Sequence, residues 1–300
     1  MSASFGSRLR ILPDLTPRQV YHRLRYRLLH RRRLSAFDDS HPCLFVLSTG
    51  RAGTKTLAAL LGLTDNLFAY HEPRPKLFAL SRLAYLYDRQ SPADEILTAA
   101  FVTVRQDLLS YALSCGRGYA ETSPQVTFLA PAILRALPTV RFIHLTRHPA
   151  DVVRSGLQRG WYTGHHRDES RITPRPGTLH ADRWHAYTPV QKNLWLWDET
   201  NRWILTFAAS LPPSQILRLR AEDLFAAQPE TLRRLFAFVG APVPPSRRIK
   251  AILSKKLNAQ KKGLPPLSAA DQAAVEQDLP AFAAETAAAL GYTAVGIGQP

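Results

Sequence analysis

Leu44-Phe-Val-Leu-Ser-Thr-Gly-Arg-Ala-Gly-Thr-Lys-Thr-Leu-Ala-Ala-Leu-Leu61 divides into an apolar run, a loop with two glycines, and a segment of helical periodicity. Leu44 to Leu47 suits a strand buried on both faces, as in the middle of a parallel sheet. Gly50 and Gly53 let the backbone turn sharply and approach a ligand closely. Leu57, Leu60 and Leu61 then repeat at helical spacing, with Thr54 and Thr56 as candidate caps. A strand–loop–helix of this kind aims free N–H groups and a helix dipole at one spot, which suits a phosphate or sulfate. Arg51 and Lys55 bring two cations to the same place.

The remaining strands and helices read outward from that loop. Leu67 to Tyr70 is a second short strand, closed by His71-Glu-Pro73, so Glu72 stands at its C-terminal end, where open α/β sheets bind ligands. Helical periodicity occupies Lys76 to Arg89 and Ala93 to Ser114; Gly116 to Glu121 reads as a strand, and a helix follows Thr122-Ser-Pro124 to about Leu137. Val140 to Thr146 is a strand running straight into Arg147-His-Pro-Ala-Asp-Val-Val-Arg-Ser155, where Pro149 fits the first turn of a helix. Residues 160–188 are irregular and rich in His, Arg, Gly and Pro, and a loop of that length inside a compact domain is a lid, a binding loop or disordered. A tryptophan-rich helix from Gln191 to Phe207, a strand from Ile216 to Arg220, a helix around Leu232 to Val239 and a final alanine-rich helix complete the pattern. Strands separated by helices predict an α/β fold of three layers, a mostly parallel sheet between two sets of helices. We assign residues 41–300 to that domain and residues 1–40 to a basic helical extension, in which Val20, Tyr21, Leu24 and Leu28 share a face among seven arginines between Arg18 and Arg33. Such a helix can lie on an anionic membrane surface or dock against its own domain.

Composition bounds the partners. A chain of 300 residues with a 45% hydrophobic and 21% charged content has enough apolar material for a substantial core and no run long enough to span a bilayer. Two cysteines, Cys43 and Cys115, are too few for a disulfide framework or a thiolate zinc site, so the expected setting is reducing and cytoplasmic, with peripheral membrane contact through the N-terminal helix. The net charge of +16 attracts polyanions of any kind.

The glycine loop fails as a nucleoside-triphosphate loop. Lys55 and Thr56 fit the end of G-x-x-x-x-G-K-[ST], but threonines Thr49 and Thr54 occupy its glycine positions. Ser48 to Leu57 instead resembles the 5′-phosphosulfate loop of the sulfotransferase family, commonly G-R-S-G-T-[ST]-x-L. Arg147, Pro149 and Ser155 supply that family's second signature, also at a strand-to-helix junction. Glu121-Thr-Ser-Pro124, Leu217-Arg-Leu-Arg-Ala-Glu-Asp-Leu224 and Leu290-Gly-Tyr292 are similar to further family segments, so the resemblance runs from about Cys43 to Tyr292. Ala52 and Lys55 depart from it, standing where serine and a hydroxyl residue are usual.

The resemblance implies a P-loop-like fold and 3′-phosphoadenosine 5′-phosphosulfate (PAPS) as sulfuryl donor, transferred in line to an acceptor hydroxyl without a metal. It implies a 5′-phosphosulfate site from Arg51, Ala52, Gly53, Thr54, Lys55 and Thr56, with Arg51 and Lys55 opposing charge on the departing oxygen, and a 3′-phosphate site from Arg147 and Ser155. The acceptor's proton needs a base; Glu72 is the first candidate, His71 the second and Glu121 a weaker third. His144 reads as a packed strand residue. The acceptor is open, the charge leaning toward an acidic glycan or a membrane lipid. Two rivals stand beside this reading. A phosphotransferase would need an acidic magnesium ligand at a strand end, where Thr146 and Arg147 stand instead. A non-enzymatic polyanion-binding protein would use the basic surface, yet no nucleic-acid motif is present and no nucleic-acid partner is expected.

Overall fold

The computed structural model describes residues 34–88, 90–254 and 268–292. The arginine-rich helix expected before Leu34 and the lysine-rich stretch 255–262 lie outside them. Five strands are described: β1 (Cys43–Leu47), β2 (Leu67–Tyr70), β3 (Gly118–Glu121), β4 (Arg141–Thr146) and β5 (Ile216–Arg220). They form one sheet in the order β2-β3-β1-β4-β5. Every pairing is parallel, so the "mostly parallel" expectation is met in full.

β1 is central and buried at all five positions, as its uninterrupted apolar run requires. Alternation still divides its side chains between two cores. Cys43, Phe45 and Leu47 face one; Leu44 and Val46 face the other. Helices α1 (Thr54–Leu61), α9 (Pro229–Phe238) and α10 (Ser246–Leu253) cover the second face, while α2 (Phe78–Leu86), α3 (Ser91–Ser114), α4 (Ala130–Ala136) and α7 (Pro189–Ala208) contribute to the first. The elements between these are α5 (Pro149–Leu157), α6 (Leu179–Arg183) and α8 (Ala221–Phe225), and α11 (Ala269–Ala289) packs on α7 and α5. Each fully buried Leu or Phe of these cores contributes about 1.5–3 kcal/mol. None of the described helices is long and apolar enough to cross a membrane.

The strand order positions the site. From β1 the chain crosses over to β2 at one edge, returns to β3, then passes over β1 to β4 on the other side. The C-terminal ends of β1, β3 and β4 therefore open at a reversal of direction, the place where doubly wound sheets bind ligands. The loops leaving those ends carry both signature segments.

Segment 160–188 is more ordered than its composition suggests. The Asp168 carboxylate accepts the N–H groups of Tyr162, Gly164 and His165 and the Arg171 Nε–H, all at 3.0–3.1 Å. The Tyr162 hydroxyl donates to the Ile172 carbonyl at 2.7 Å. One buried-edge carboxylate thus organises the turn, a function that residue composition alone does not reveal.

Candidate active site

The loop after β1 turns through three residues in the left-handed region: Gly50 (φ 80°), Arg51 (φ 58°) and Gly53 (φ 86°). Arg51 pays for that conformation sterically, because an L side chain rarely adopts it. Gly53 serves as the N-cap of α1, and no side chain caps the helix. Thr54 and Thr56, expected as caps, make no capping bond and are buried. The N–H groups from Arg51 through Thr56 donate to no other described group. Uncommitted donors in succession, curled by alternating backbone handedness, make a concave anion cradle at a helix N-terminus.

The second signature is joined to the first. Arg51 Nε donates to Ser155 Oγ at 2.9 Å, and Arg147 donates through NH1 to the Arg51 carbonyl at 3.3 Å. Arg147 also pairs with Asp151 at 3.2 Å and lies over the Phe225 ring, 5.8 Å from its centre. Its own carbonyl accepts the Trp197 indole N–H at 3.0 Å, fixing the strand end from below. His148 starts α5, accepting the Ala150 N–H on Nδ1, while Glu222 accepts the His148 N–H at 2.7 Å. Asp151, Trp197, Phe225 and Glu222 were not recognised from sequence; only Asp151, one helical turn beyond Arg147, had a local spacing that signals the contact.

Burial, then the nearby Arg159 and Arg147, holds the Arg51 guanidinium down to about 10, against a pull upward from Glu72. It stays protonated at neutral pH. Lys55 is exposed and hydrogen-bonds to no described residue. Ala52 is fully buried. It contributes backbone only, so the loss of a serine hydroxyl there leaves the cradle intact.

Glu72 lies at the end of β2 with φ 48°, and its Oε2 is 3.1 Å from Lys76 Nζ. Lys76 is thus an ion-pair partner of Glu72. Beside it, His71 Nδ1 lies 3.1 Å from the Thr122 carbonyl and hydroxyl, and Nε2 is 3.9 Å from Glu72 Oε1. Donation from Nδ1 to the carbonyl leaves Nε2 as an acceptor. Burial lowers the His71 pKa, with Glu72 and the Thr122 bond opposing. The ring is therefore neutral at pH 7.

Two other titratable candidates are removed from the chemistry. Glu121 is fully buried, gripped by Arg105 through Nε (2.7 Å) and NH2 (2.9 Å) and by the Tyr119 hydroxyl (2.8 Å). Three hydrogen bonds tie both its oxygens into the interior of the fold, so the weak suggestion of a base is withdrawn. His144 is buried, bonded to Asn201 at 2.9 Å and held by burial at about 4, as expected of a packed strand residue.

Loop, Glu72 and His71 border a cavity of about 800 Å³. Its walls include Ser48 to Arg51 and Thr54 on one side, and Phe78, Ser81, Arg82, Phe128, Trp161, Arg171, Ile172, Leu196 and Thr200 elsewhere. That volume accommodates an organic molecule of drug-like size. Arg147 and Ser155 lie outside this lining. The arrangement thus offers an anion cradle, a second basic anchor outside the lining and a proton acceptor on the wall of the cavity that the loop also borders.

The sulfotransferase family profile matches residues 42–245, which include both signatures. No curated protein sequence matches the chain. Among solved structures, a sulfotransferase from Alicyclobacillus acidocaldarius is 15% identical over 84% of this chain and 96% of its own, with a TM-score of 0.50. The sulfotransferase domain from the curacin biosynthetic pathway is 16% identical over 84% of this chain and 98% of its own, with a TM-score of 0.48.

Proposed function

The chain belongs to the sulfotransferase family, and from that premise we propose that it moves a sulfuryl group from PAPS to an acceptor hydroxyl. PAPS, when bound, supplies an activated sulfuryl group on a phosphate leaving group. The observation that carries the reading is the contact of the two signatures, Arg51 Nε on Ser155 Oγ with Arg147 on the Arg51 carbonyl. Two anions of one ligand, held at adjacent strand ends, need such a pair of sites side by side.

The residues present fit that ligand. The free N–H groups of Arg51 to Thr56 are donors without acceptors, and an anion supplies only acceptors. No described carboxylate competes inside the cradle; Asp151 partly neutralises Arg147 from behind. Arg147 and Ser155 would hold the 3′-phosphate, the arginine through its planar fork. The cradle, Arg51 and Lys55 would oppose negative charge gathering on the departing oxygen. Glu72 would take the acceptor's proton from the chamber side, with neutral His71 beside it as a hydrogen-bonding neighbour.

Thermal stabilisation tests the reading. 3′-Phosphoadenosine 5′-phosphate should raise the melting temperature, whereas ATP with magnesium and duplex DNA should not. Stabilisation by ATP with magnesium alone would mark a phosphotransferase; stabilisation by DNA alone would mark a polyanion-binding protein.

A further inference from the structure

Four arginines line the cavity beside the loop, Arg51, Arg82, Arg159 and Arg171, and they differ in what already occupies them. Arg171 is answered by Asp168 at 3.0 Å and lies 4.2 Å over the Trp161 ring. Arg82 spends NH1 on the Glu169 carbonyl at 2.8 Å, and Arg51 spends Nε on Ser155. Arg159 is exposed, and its guanidinium meets no hydrogen-bond acceptor or carboxylate among the described residues. Its five N–H donors are therefore open to whatever enters the cavity.

The fold holds this free cation next to the loop. After α5 the Gly156 carbonyl accepts the Arg159 N–H at 2.9 Å and the Trp161 N–H at 3.1 Å, and Gly160 turns the chain through a φ of 68°. Trp161, from the same turn, packs on the loop itself: a Cβ built on Gly50 would stand 3.5 Å from its ring. Arg159 thus sits two residues from a side chain in contact with the loop. It also crowds Arg51. After burial, Arg159 is the largest influence holding the Arg51 guanidinium down to about 10, ahead of Arg147 and against Glu72. Neither Arg51 nor Arg159 pairs with a described carboxylate. Guanidiniums crowded in this way repel, and an anion between them turns the repulsion into attraction.

The direction of the cradle says which anion this is. A ligand held by the N–H groups of Arg51 to Thr56 meets the cavity at Ser48 to Arg51 and Thr54, which form part of its wall. The group offered to an acceptor has to point that way. We propose that Arg159 binds the sulfuryl oxygens of the bound donor from the cavity side, next to Arg51. This deepens the PAPS reading and rests on it. It gives Arg159 a task that Arg147 and Ser155, outside the lining, do not share: neutralising the one anionic group that an acceptor oxygen must approach.

Calorimetry with two ligands that differ in the sulfuryl group tests this, PAPS against 3′-phosphoadenosine 5′-phosphate. Arg159→Gln, an exchange at an exposed position, should weaken PAPS binding about tenfold or more, the effect of one charge-assisted contact. It should change 3′-phosphoadenosine 5′-phosphate affinity by less than about threefold, the residue of a screened, longer-range attraction. Arg159→Lys, which keeps the charge and loses the planar fork, should fall between wild type and Arg159→Gln for PAPS. Equal losses for both ligands would make Arg159 a part of the general basic field, and no loss for either would make it a bystander on the wall. Either result overturns the proposal and leaves the donor reading standing. Wild type that binds neither ligand would remove the donor reading and the proposal together.

Discussion

On the loop side of the cavity, the donors offered are consecutive backbone N–H groups between Arg51 and Thr56, shaped by left-handed residues at positions 50, 51 and 53. On the opposite wall the lining is a set of side chains from separate places in the chain: Ser81 and Arg82 on α2, Trp161 and Arg171 in the loop before α6, and Leu196 and Thr200 on α7. The first construction is indifferent to most side chains, which is why Ala52 and Lys55 can replace a serine and a hydroxyl residue without disturbing it. It is sensitive to the backbone. The second can change its ligand by changing one side chain, with no alteration of the fold. Donor recognition and acceptor recognition should therefore fail under different kinds of substitution.

The largest expected effect breaks the backbone side. At Gly53, a Cβ would meet the Phe225 ring at 2.6 Å, and the φ of 86° is strained for any L residue. Phe225 is partly exposed and can swing aside, but the backbone cannot relax without losing the cradle. Gly53→Val should weaken 3′-phosphoadenosine 5′-phosphate binding by about a hundredfold or more, measured by calorimetry. Binding equal to wild type would mean that the N–H groups do not form the anion site.

Next comes the boundary between the two sides. Glu72→Gln removes a proton acceptor but keeps the shape and the link to Lys76 through its oxygen. Turnover should drop by about 10²-fold with 3′-phosphoadenosine 5′-phosphate affinity intact. Steady-state rates and calorimetry on the same preparation separate the two quantities. Near-normal turnover would transfer the proton to another group, His71 Nε2 being the neighbour best placed to take it.

The same contrast explains what could be read in advance. The sheet, both signatures and the junctions that carry them were legible because each is local: apolar runs of strand length, glycines in a short loop, a proline at a helix start. β2 and β5 fall on the expected residues, Leu67 to Tyr70 and Ile216 to Arg220. What was not legible depends on contacts between distant residues. Glu121 reads as a weak candidate base, but Arg105, sixteen residues earlier, grips its carboxylate. Arg51 and Ser155, which lie 104 residues apart, were each assigned to an anion, but their bond to one another had no sequence signal. Residues 160–188 read as irregular because their first part is ordered by one aspartate collecting N–H groups, which leaves no periodicity, and the helix within them, α6, spans only Leu179–Arg183.

The smallest expected effect concerns the cations of the loop, where sequence left Arg51 and Lys55 equal. They are not equal in the structure. Arg51 is partly buried, its Nε engaged by Ser155, and its pKa, held down to about 10, reflects that burial first and then the crowding of Arg159 and Arg147. Lys55 is exposed with its ammonium in water. A solvated charge acts on a nearby anion through a high dielectric, at about 1 kcal/mol or less. Lys55→Ala should therefore cost at most about fivefold in 3′-phosphoadenosine 5′-phosphate affinity at low ionic strength, and the loss should fade in about 0.5 M salt as the Debye length contracts. The equivalent loss for Arg51→Ala should be larger and should persist in salt, because its guanidinium is shielded from ions and ties the two signature loops together. A salt-insensitive hundredfold loss on removing Lys55 would reverse this order, making the ammonium a direct ligand of the anion and Arg51 chiefly the strut between the loops.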